Sequence, residues 1–221
     1  MESLNFGHDR ISERRAMVEE QLVFRGIRNE AVLDGMLAVP RHLFVPESLS
    51  DYAYSDGPLA IGDGQTISQP YIVACMIEAL APGKDDVVLE IGTGSGYAAA
   101  VLSRLAARVY TVERLASHAK QAEKLLKKLK YENIEVITGD GTKGLPGKAP
   151  FDGIIVSAGA PVIPESLLDQ LKPGGRLVIP LGTMNTQELL LLTKDMNGDV
   201  RERNLGSVRF VPLIGDEGWN R

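Results

Sequence analysis

Chemistry in this chain is concentrated where a strand-like run meets glycines. Val88-Leu-Glu-Ile-Gly-Thr-Gly-Ser-Gly-Tyr97 reads as an apolar strand, a glycine-rich loop and the start of a helix. Without a Cβ, glycine lets the backbone turn tightly and approach a ligand closely. Gly92, Gly94 and Gly96, with Thr93 and Ser95 between them, give the spacing G-x-G-x-G. Dinucleotide binders carry G-x-G-x-x-G, and phosphate-binding loops end in Gly-Lys-Ser/Thr, so neither pattern matches. A packed turn without ligand is the plain alternative. Two acids lie further on. Glu113 ends the next strand-like run, Arg108-Val-Tyr-Thr-Val-Glu113, where a carboxylate can accept both ribose hydroxyls of an adenosine or cap the following helix. Asp140, in Gly139-Asp-Gly141, can hold an adenine amino group or close an ordinary turn. Glu90 sits on the strand itself. Strand ends carrying Glu90, Gly92, Glu113, Asp140 and Gly141 then surround an adenosine that bears a sulfonium.

The elements that must position these groups follow from periodicity. Residues 84–181 alternate strands and helices: strands at 86–91, 108–113, 133–138, 151–157 and 176–181, helices at 97–106, 115–130 and 164–171. Such alternation predicts a doubly wound sheet, parallel through this stretch. Two more strands, 188–193 and 205–210, flank the turn Asn197-Gly-Asp199 with no helical pattern between them, which predicts a hairpin. The fold class expected is α/β: a Rossmann-like, seven-stranded, mostly parallel sheet with a C-terminal antiparallel hairpin and an N-terminal helical extension. In that extension residues 9–25 read as an amphipathic helix closed by Gly26, residues 30–38 as a second helix, and residues 70–80 as a third with Pro70 in its first turn. Residues 39–67, rich in proline and glycine, read as loop with short elements. The division expected is a substrate-side segment at 1–82 packed on a cofactor-binding domain at 83–221, together one structural unit.

Composition narrows the function classes. The net charge of −5 argues against a nucleic-acid partner. The lone Cys75 excludes an internal disulfide and a paired-cysteine metal site, and its place among Ile72, Met76 and Ile77 reads as core. No apolar stretch approaches the ~20 residues that span a bilayer, and the N-terminus lacks a signal-peptide pattern, so the expectation is a cytoplasmic protein without a membrane partner. His8, His42 and His118 are scattered, with no base–metal set; His118 reads as solvated in a charged helix. The lysines of 124–130 read as a solvated helix face.

The run VLEIGTGSGY, then VYTVE, GDG, FDGIIVSAG and LKPGGRLVIP, resembles the Rossmann-like methyltransferases in content and order. That resemblance implies S-adenosyl-L-methionine as cofactor and S-adenosyl-L-homocysteine as product. Methyl transfer from a sulfonium is a direct displacement in which positioning supplies much of the rate. A nitrogen or hydroxyl acceptor needs a base or metal, whereas a carboxylate, with a pKa of about 4, is already ionised. No Asn-Pro-Pro-Tyr segment follows the fourth strand, where methyltransferases of amino groups on bases carry one. A methyltransferase for another acceptor, or a non-catalytic S-adenosylmethionine-binding protein, remains an alternative at this stage.

One segment is more specific. Gly64-Gln-Thr-Ile-Ser-Gln-Pro70, with Val39-Pro-Arg-His-Leu-Phe-Val-Pro46 upstream and Val208-Arg-Phe-Val-Pro-Leu213 near the end, resembles the protein-L-isoaspartate (D-aspartate) O-methyltransferase family over nearly the entire chain. The resemblance implies a repair enzyme that esterifies the side carboxylate of isoaspartate in damaged proteins and peptides, after which the ester cyclises to a succinimide. By matching motif, Ser68 takes the place of the family's active-site serine, and the Thr66 and Ser68 hydroxyls are expected to hold the acceptor carboxylate. The alternative for Ser68 is a helix cap worth about 1 kcal/mol. Ile67, Val211, Pro212 and Leu213 are expected to line the peptide site. No metal is expected, and the chain is expected to act as a monomer.

Overall fold

The computed structural model describes residues 10–220; His8, Asp9 and the rest of the N-terminal segment read above lie outside the described residues. The first predicted helix forms in two registers. Helix α1, Ile11–Ala16, runs on into a π-helical segment, Met17–Val23, whose last turns close through Phe24 N–H to Glu19 O and Ile27 N–H to Leu22 O, both 3.1 Å. The wider register turns Met17, Val18 and Leu22 into the core. Gly26 ends it at φ +98°, a left-handed turn that suits a residue without a Cβ. Helix α2, Glu30–Ala38, is capped by the Asn29 side chain, which accepts from Val32 N–H. Residues 39–58 are mostly short 3₁₀ turns, and a small antiparallel hairpin follows: β1, Leu59–Gly62, and β2, Gln65–Ile67. Helix α3, Pro70–Leu80, starts on proline as its sequence demands.

The main sheet has seven strands: β3 (Val87–Ile91), β4 (Arg108–Glu113), β5 (Ile134–Thr138), β6 (Phe151–Val156), β7 (Leu171–Gly182), β8 (Gln187–Lys194) and β9 (Val200–Val208). Their order is β5-β4-β3-β6-β7-β8-β9. β5, β4, β3, β6 and β7 pair in parallel, joined by crossovers that include α4 (Tyr97–Leu102), α5 (Ala116–Lys128) and α6 (Glu165–Asp169). β7, β8 and β9 pair antiparallel, so the terminal hairpin extends into a three-stranded meander. β7 starts at Leu171 and β9 at Val200, both earlier than hydrophobicity marks them; in β9 charged Arg201, Glu202 and Arg203 occupy an exposed edge strand.

Strand side chains alternate between faces. Val88, Val109, Ile155 and Val178 pack with α3, α4 and the N-terminal helices, while Leu89, Ile154, Leu177 and Leu190 pack with Leu167 of α6 on the opposite side. The N-terminal segment therefore covers one face of the sheet directly. That packing places β2 and the start of α3 beside the C-terminal end of β3. No helix among the described residues is long and apolar enough to cross a membrane.

Candidate active site

In an open α/β sheet, ligands bind beyond the carboxyl ends of the strands, where crossovers leave to opposite faces. Here β3 is that point: its neighbours β4 and β6 continue the sheet in opposite directions. A cavity of about 360 Å³ opens there, lined by the ends of β3 and β4, the glycine loop, the β1–β2 hairpin, α3 and residues 211–214. That volume suits a small organic ligand.

The glycine loop forms one wall. Gly92 adopts φ +93°, and a Cβ on it would sit 3.4 Å from Ser157 Cβ. Gly94 adopts φ +51° beneath the side chain of Ile61 from the hairpin. Gly92, Thr93, Gly94 and Ser95 line the cavity; Gly96 does not. A Cβ there would lie 3.3 Å from Leu126 and 3.5 Å from Ala122, so the third glycine lets α5 pack close to the start of α4.

Glu113 lines the cavity and is buried against it. Its Oε2 accepts the Gly94 N–H at 3.0 Å and its Oε1 accepts the Leu115 N–H at 2.9 Å. The carboxylate thus clamps the glycine loop to the residue that precedes α5. A carboxylate has about four acceptor sites, so lone pairs remain for a ligand.

Asp140 stands back from the cavity. Its Oδ1 accepts both N–H and Oγ1 of Thr142, at 2.9 and 2.7 Å, and its Oδ2 accepts the Asp216 N–H at 2.9 Å. These bonds hold its carboxyl below the usual range, against a burial effect that raises it. The turn reading of Gly-Asp-Gly is what these bonds describe; Gly141, the next residue, does line the cavity.

Glu90 is fully buried and lines the same cavity. Oε2 accepts the Thr111 hydroxyl at 2.6 Å, and Thr111 shares a second 2.6 Å contact with Thr93. Among the described residues Oε1 has no hydrogen-bond partner. Burial pushes the carboxyl up to about 8; the Thr111 bond opposes this and the nearby Glu113 charge adds to it.

The facing wall comes from the hairpin and its exit. Thr66, Ile67 and Ser68 line the cavity, with Ile67 buried beneath. Gln69, not Ser68, holds the N-cap position of α3, and no side chain caps that end. Among the described residues neither the Thr66 nor the Ser68 hydroxyl is hydrogen-bonded, so both are available to a ligand. Val211, Pro212 and Leu213 complete the wall, tied to the loop after β6 by Gly159 N–H to Val211 O and Leu213 N–H to Gly159 O, each 2.8 Å.

Sequence reasoning misplaced His118. It is buried on the inner face of α5, and its Nε2 lies 3.2 Å from Asp63 Oδ2 at the hairpin tip, where Ser117 Oγ also donates at 3.3 Å. The helical periodicity of α5 does not reveal that a hairpin from elsewhere in the chain reaches it. Val73, Met76 and Ser157 also line the cavity. On the sequence Val73 and Met76 are indistinguishable from the core stripe of α3. Cys75 is half-buried, and burial raises its thiol, as befits a packing residue. Among the described residues no cluster of three or more His, Cys, Asp or Glu side chains is placed to hold a metal.

The residues fit a nucleoside with a cationic arm: a glycine cradle, a carboxylate with spare acceptor capacity, and a buried acid with an unpartnered oxygen. The family model for protein-L-isoaspartate(D-aspartate) O-methyltransferase matches residues 12–218. A protein-L-isoaspartate O-methyltransferase of Pelotomaculum thermopropionicum is 63% identical over 96% of this chain and 93% of its own length. One from Desulfosudis oleivorans is 56% identical over 95% of this chain and 94% of its own. A solved protein-L-isoaspartate O-methyltransferase superposes with a TM-score of 0.85 at 31% identity, covering 93% of this chain and 67% of that one. A putative member from Plasmodium falciparum, in complex with S-adenosyl-L-homocysteine, superposes at 0.78 with 27% identity, covering 91% and 98%. The chain belongs to the protein-L-isoaspartate (D-aspartate) O-methyltransferase family.

Proposed function

We propose that this chain transfers a methyl group from S-adenosylmethionine to the side carboxylate of L-isoaspartyl residues in damaged proteins and peptides. The products are S-adenosylhomocysteine and a methyl ester that cyclises to a succinimide. The observation that carries this reading is a single cavity with the strand-end glycine loop on one wall and the unbonded Thr66 and Ser68 hydroxyls on the other.

S-adenosylmethionine supplies a methyl group on a sulfonium, open to direct displacement. The chain's part is to bind and orient. Gly92, Thr93, Gly94 and Ser95 supply the cradle, with Gly96 and Gly141 giving the close packing that shapes it. Glu113 is placed to accept from ribose hydroxyls with the lone pairs its two backbone bonds leave free. Asp140 retains an acceptor site on Oδ2, and we assign it the adenine amino group through an edge contact rather than from within the cavity. The Thr66 and Ser68 hydroxyls donate to the acceptor carboxylate and hold one oxygen toward the methyl. Alignment of ionised nucleophile and methyl is the main catalytic contribution, and no proton needs to be removed. Ile67, Val211, Pro212 and Leu213 offer an apolar surface for the peptide on either side of the acceptor. The reading also takes the enzyme to be a monomer that needs no metal ion. Neither a nucleic acid nor a membrane is required, and a cytoplasmic setting is consistent with this reading.

The test is methyl incorporation from labelled S-adenosylmethionine into two peptides identical except for isoaspartate or aspartate at one position. Labelling of the isoaspartyl peptide alone is expected. Cofactor binding without labelling of either peptide would overturn the assignment of the acceptor.

A further inference from the structure

The wall at 211–213 is pinned from behind by residues that do not line the cavity. Phe210 N–H donates to Oε1 of buried Gln187 at 2.8 Å. Val211 O accepts the Gly159 N–H, and Leu213 N–H donates to Gly159 O, each at 2.8 Å. Pro212 between them has no N–H to offer and stays exposed. The chain then doubles back. Trp219 N–H donates to Leu213 O at 2.8 Å, and its indole Nε1–H donates to Gly159 O at 3.0 Å. Gly159 O thus receives both the wall and the indole, and its two lone pairs are filled. Ser157 and Ala158, just before it, line the cavity.

The returning tail is itself held in place. The Glu217 carboxylate accepts the N–H of Ser166 at 3.0 Å and also its hydroxyl, while Glu217 N–H donates to Thr142 Oγ1 at 3.1 Å. Lys143 Nζ pairs with Asp216 Oδ2 at 2.5 Å. A Cβ on Gly215 would sit 2.1 Å from Asp140 Oδ1, and one on Gly218 2.4 Å from Leu213 O, so the path is too close-packed for larger residues. The tail therefore delivers the indole to one fixed position. A rigid ring with a donor at its edge reaches Gly159 O with little rotamer freedom to lose.

We propose that Trp219 is a positioning residue for the acceptor: acting through Gly159 O and Leu213 O, it fixes the depth of the 211–213 wall against which the isoaspartyl peptide lies. It touches neither cofactor nor reacting atoms. Its contribution is to peptide binding, so its loss raises KM for the peptide and leaves the methyl-transfer step and cofactor affinity in place. The inference rests on reading residues 211–213 as the peptide surface.

The test compares wild type with W219F, which keeps a ring and removes the indole N–H. Steady-state methylation of an isoaspartyl hexapeptide is expected to show KM for the peptide raised about 2–10-fold, the worth of one neutral hydrogen bond, with kcat and the S-adenosylmethionine Kd near wild type. An unchanged KM for the peptide, whatever happens to stability, would overturn the inference, leave the methyltransferase reading standing and make Trp219 a brace. Cofactor binding by wild type without methylation of the peptide would overturn the acceptor assignment and this inference with it. The chain has one tryptophan, so its fluorescence reports this position alone. With S-adenosylhomocysteine in place, wild-type emission is expected to shift on adding the isoaspartyl peptide and to stay constant with its aspartyl twin. Should W219F not fold, that measurement decides: constant emission while the isoaspartyl peptide binds refutes the idea.

Discussion

Replacing Glu113 by glutamine separates two duties that one carboxylate performs. Its oxygens accept from Gly94 N–H at 3.0 Å and Leu115 N–H at 2.9 Å, in a nearly solvent-free position. Glutamine keeps the size, but its amide nitrogen cannot accept, so one of the two backbone donors faces another donor. An unsatisfied buried donor costs about 1–3 kcal/mol. Water from the adjoining cavity offsets part of this, so the free protein is expected to lose about 1–2 kcal/mol. Loss of the charged acceptor for ribose hydroxyls, at about 1.5–3 kcal/mol, corresponds to an affinity loss of roughly 10–100-fold. Urea unfolding without ligand reads the first effect and calorimetric titration with S-adenosylmethionine the second. Unchanged stability would refute the clamp. Lower stability with unchanged affinity would remove Glu113 from the ribose site and leave it a purely structural brace.

Ser68→Ala is expected to leave stability and cofactor affinity near wild type, because Ser68 does not cap α3, and to lower kcat with isoaspartyl peptide; unaltered turnover would dismiss its hydroxyl from the reaction. Gly141→Ala would bring a Cβ to 2.4 Å from Ile91 Cγ2 at the end of β3; overpacking of this kind costs about 1–3 kcal/mol, visible in the urea midpoint together with weaker cofactor binding. Glu90 imposes a pH dependence on the free protein. Its folded carboxyl titrates at about 8, above the 4.5 of an unhindered glutamate, so between these values the folded state holds more protons than the unfolded one. Stability from this group is full below about pH 4.5 and falls as pH rises toward 8. Thermal unfolding of wild type against E90Q across that window is expected to show a steeper decline in wild type, and parallel curves would contradict it.

The sheet and its glycine loop were legible because they depend on local signals. An apolar run feeding G-x-G-x-G, and acids at strand ends, need no knowledge of distant segments. The hairpin at 59–67 was less legible, since its strands are short and its turn residues, Gly62-Asp63-Gly64, read equally well as loop. His118 was misread for the same reason: it is buried, and its partner Asp63 lies on a hairpin far away in the sequence. Gly96 shows a subtler limit. Its place in the motif suggests ligand contact, but its nearest neighbours are Leu126 and Ala122, a helix-packing role that only tertiary structure distinguishes. Asp140 was open between ligand and turn on its own residues, and the partner that occupies its Oδ2 comes from the far end of the chain at Asp216.

The hairpin tip has a consequence for the order of events. Ile61 rests over Gly94, while Asp63 is held by Ser117 and His118 at the start of α5. Those two footholds are the elements that Glu113 ties together, and the same hairpin brings Thr66 to the cavity wall. One piece of chain thus lines the cavity and lies over the glycine loop. A bound polypeptide is expected to bar the exit of a nucleoside beneath it, which predicts an ordered sequence: nucleoside first and last, polypeptide between. Product inhibition by S-adenosylhomocysteine should then be competitive toward S-adenosylmethionine and noncompetitive toward the peptide.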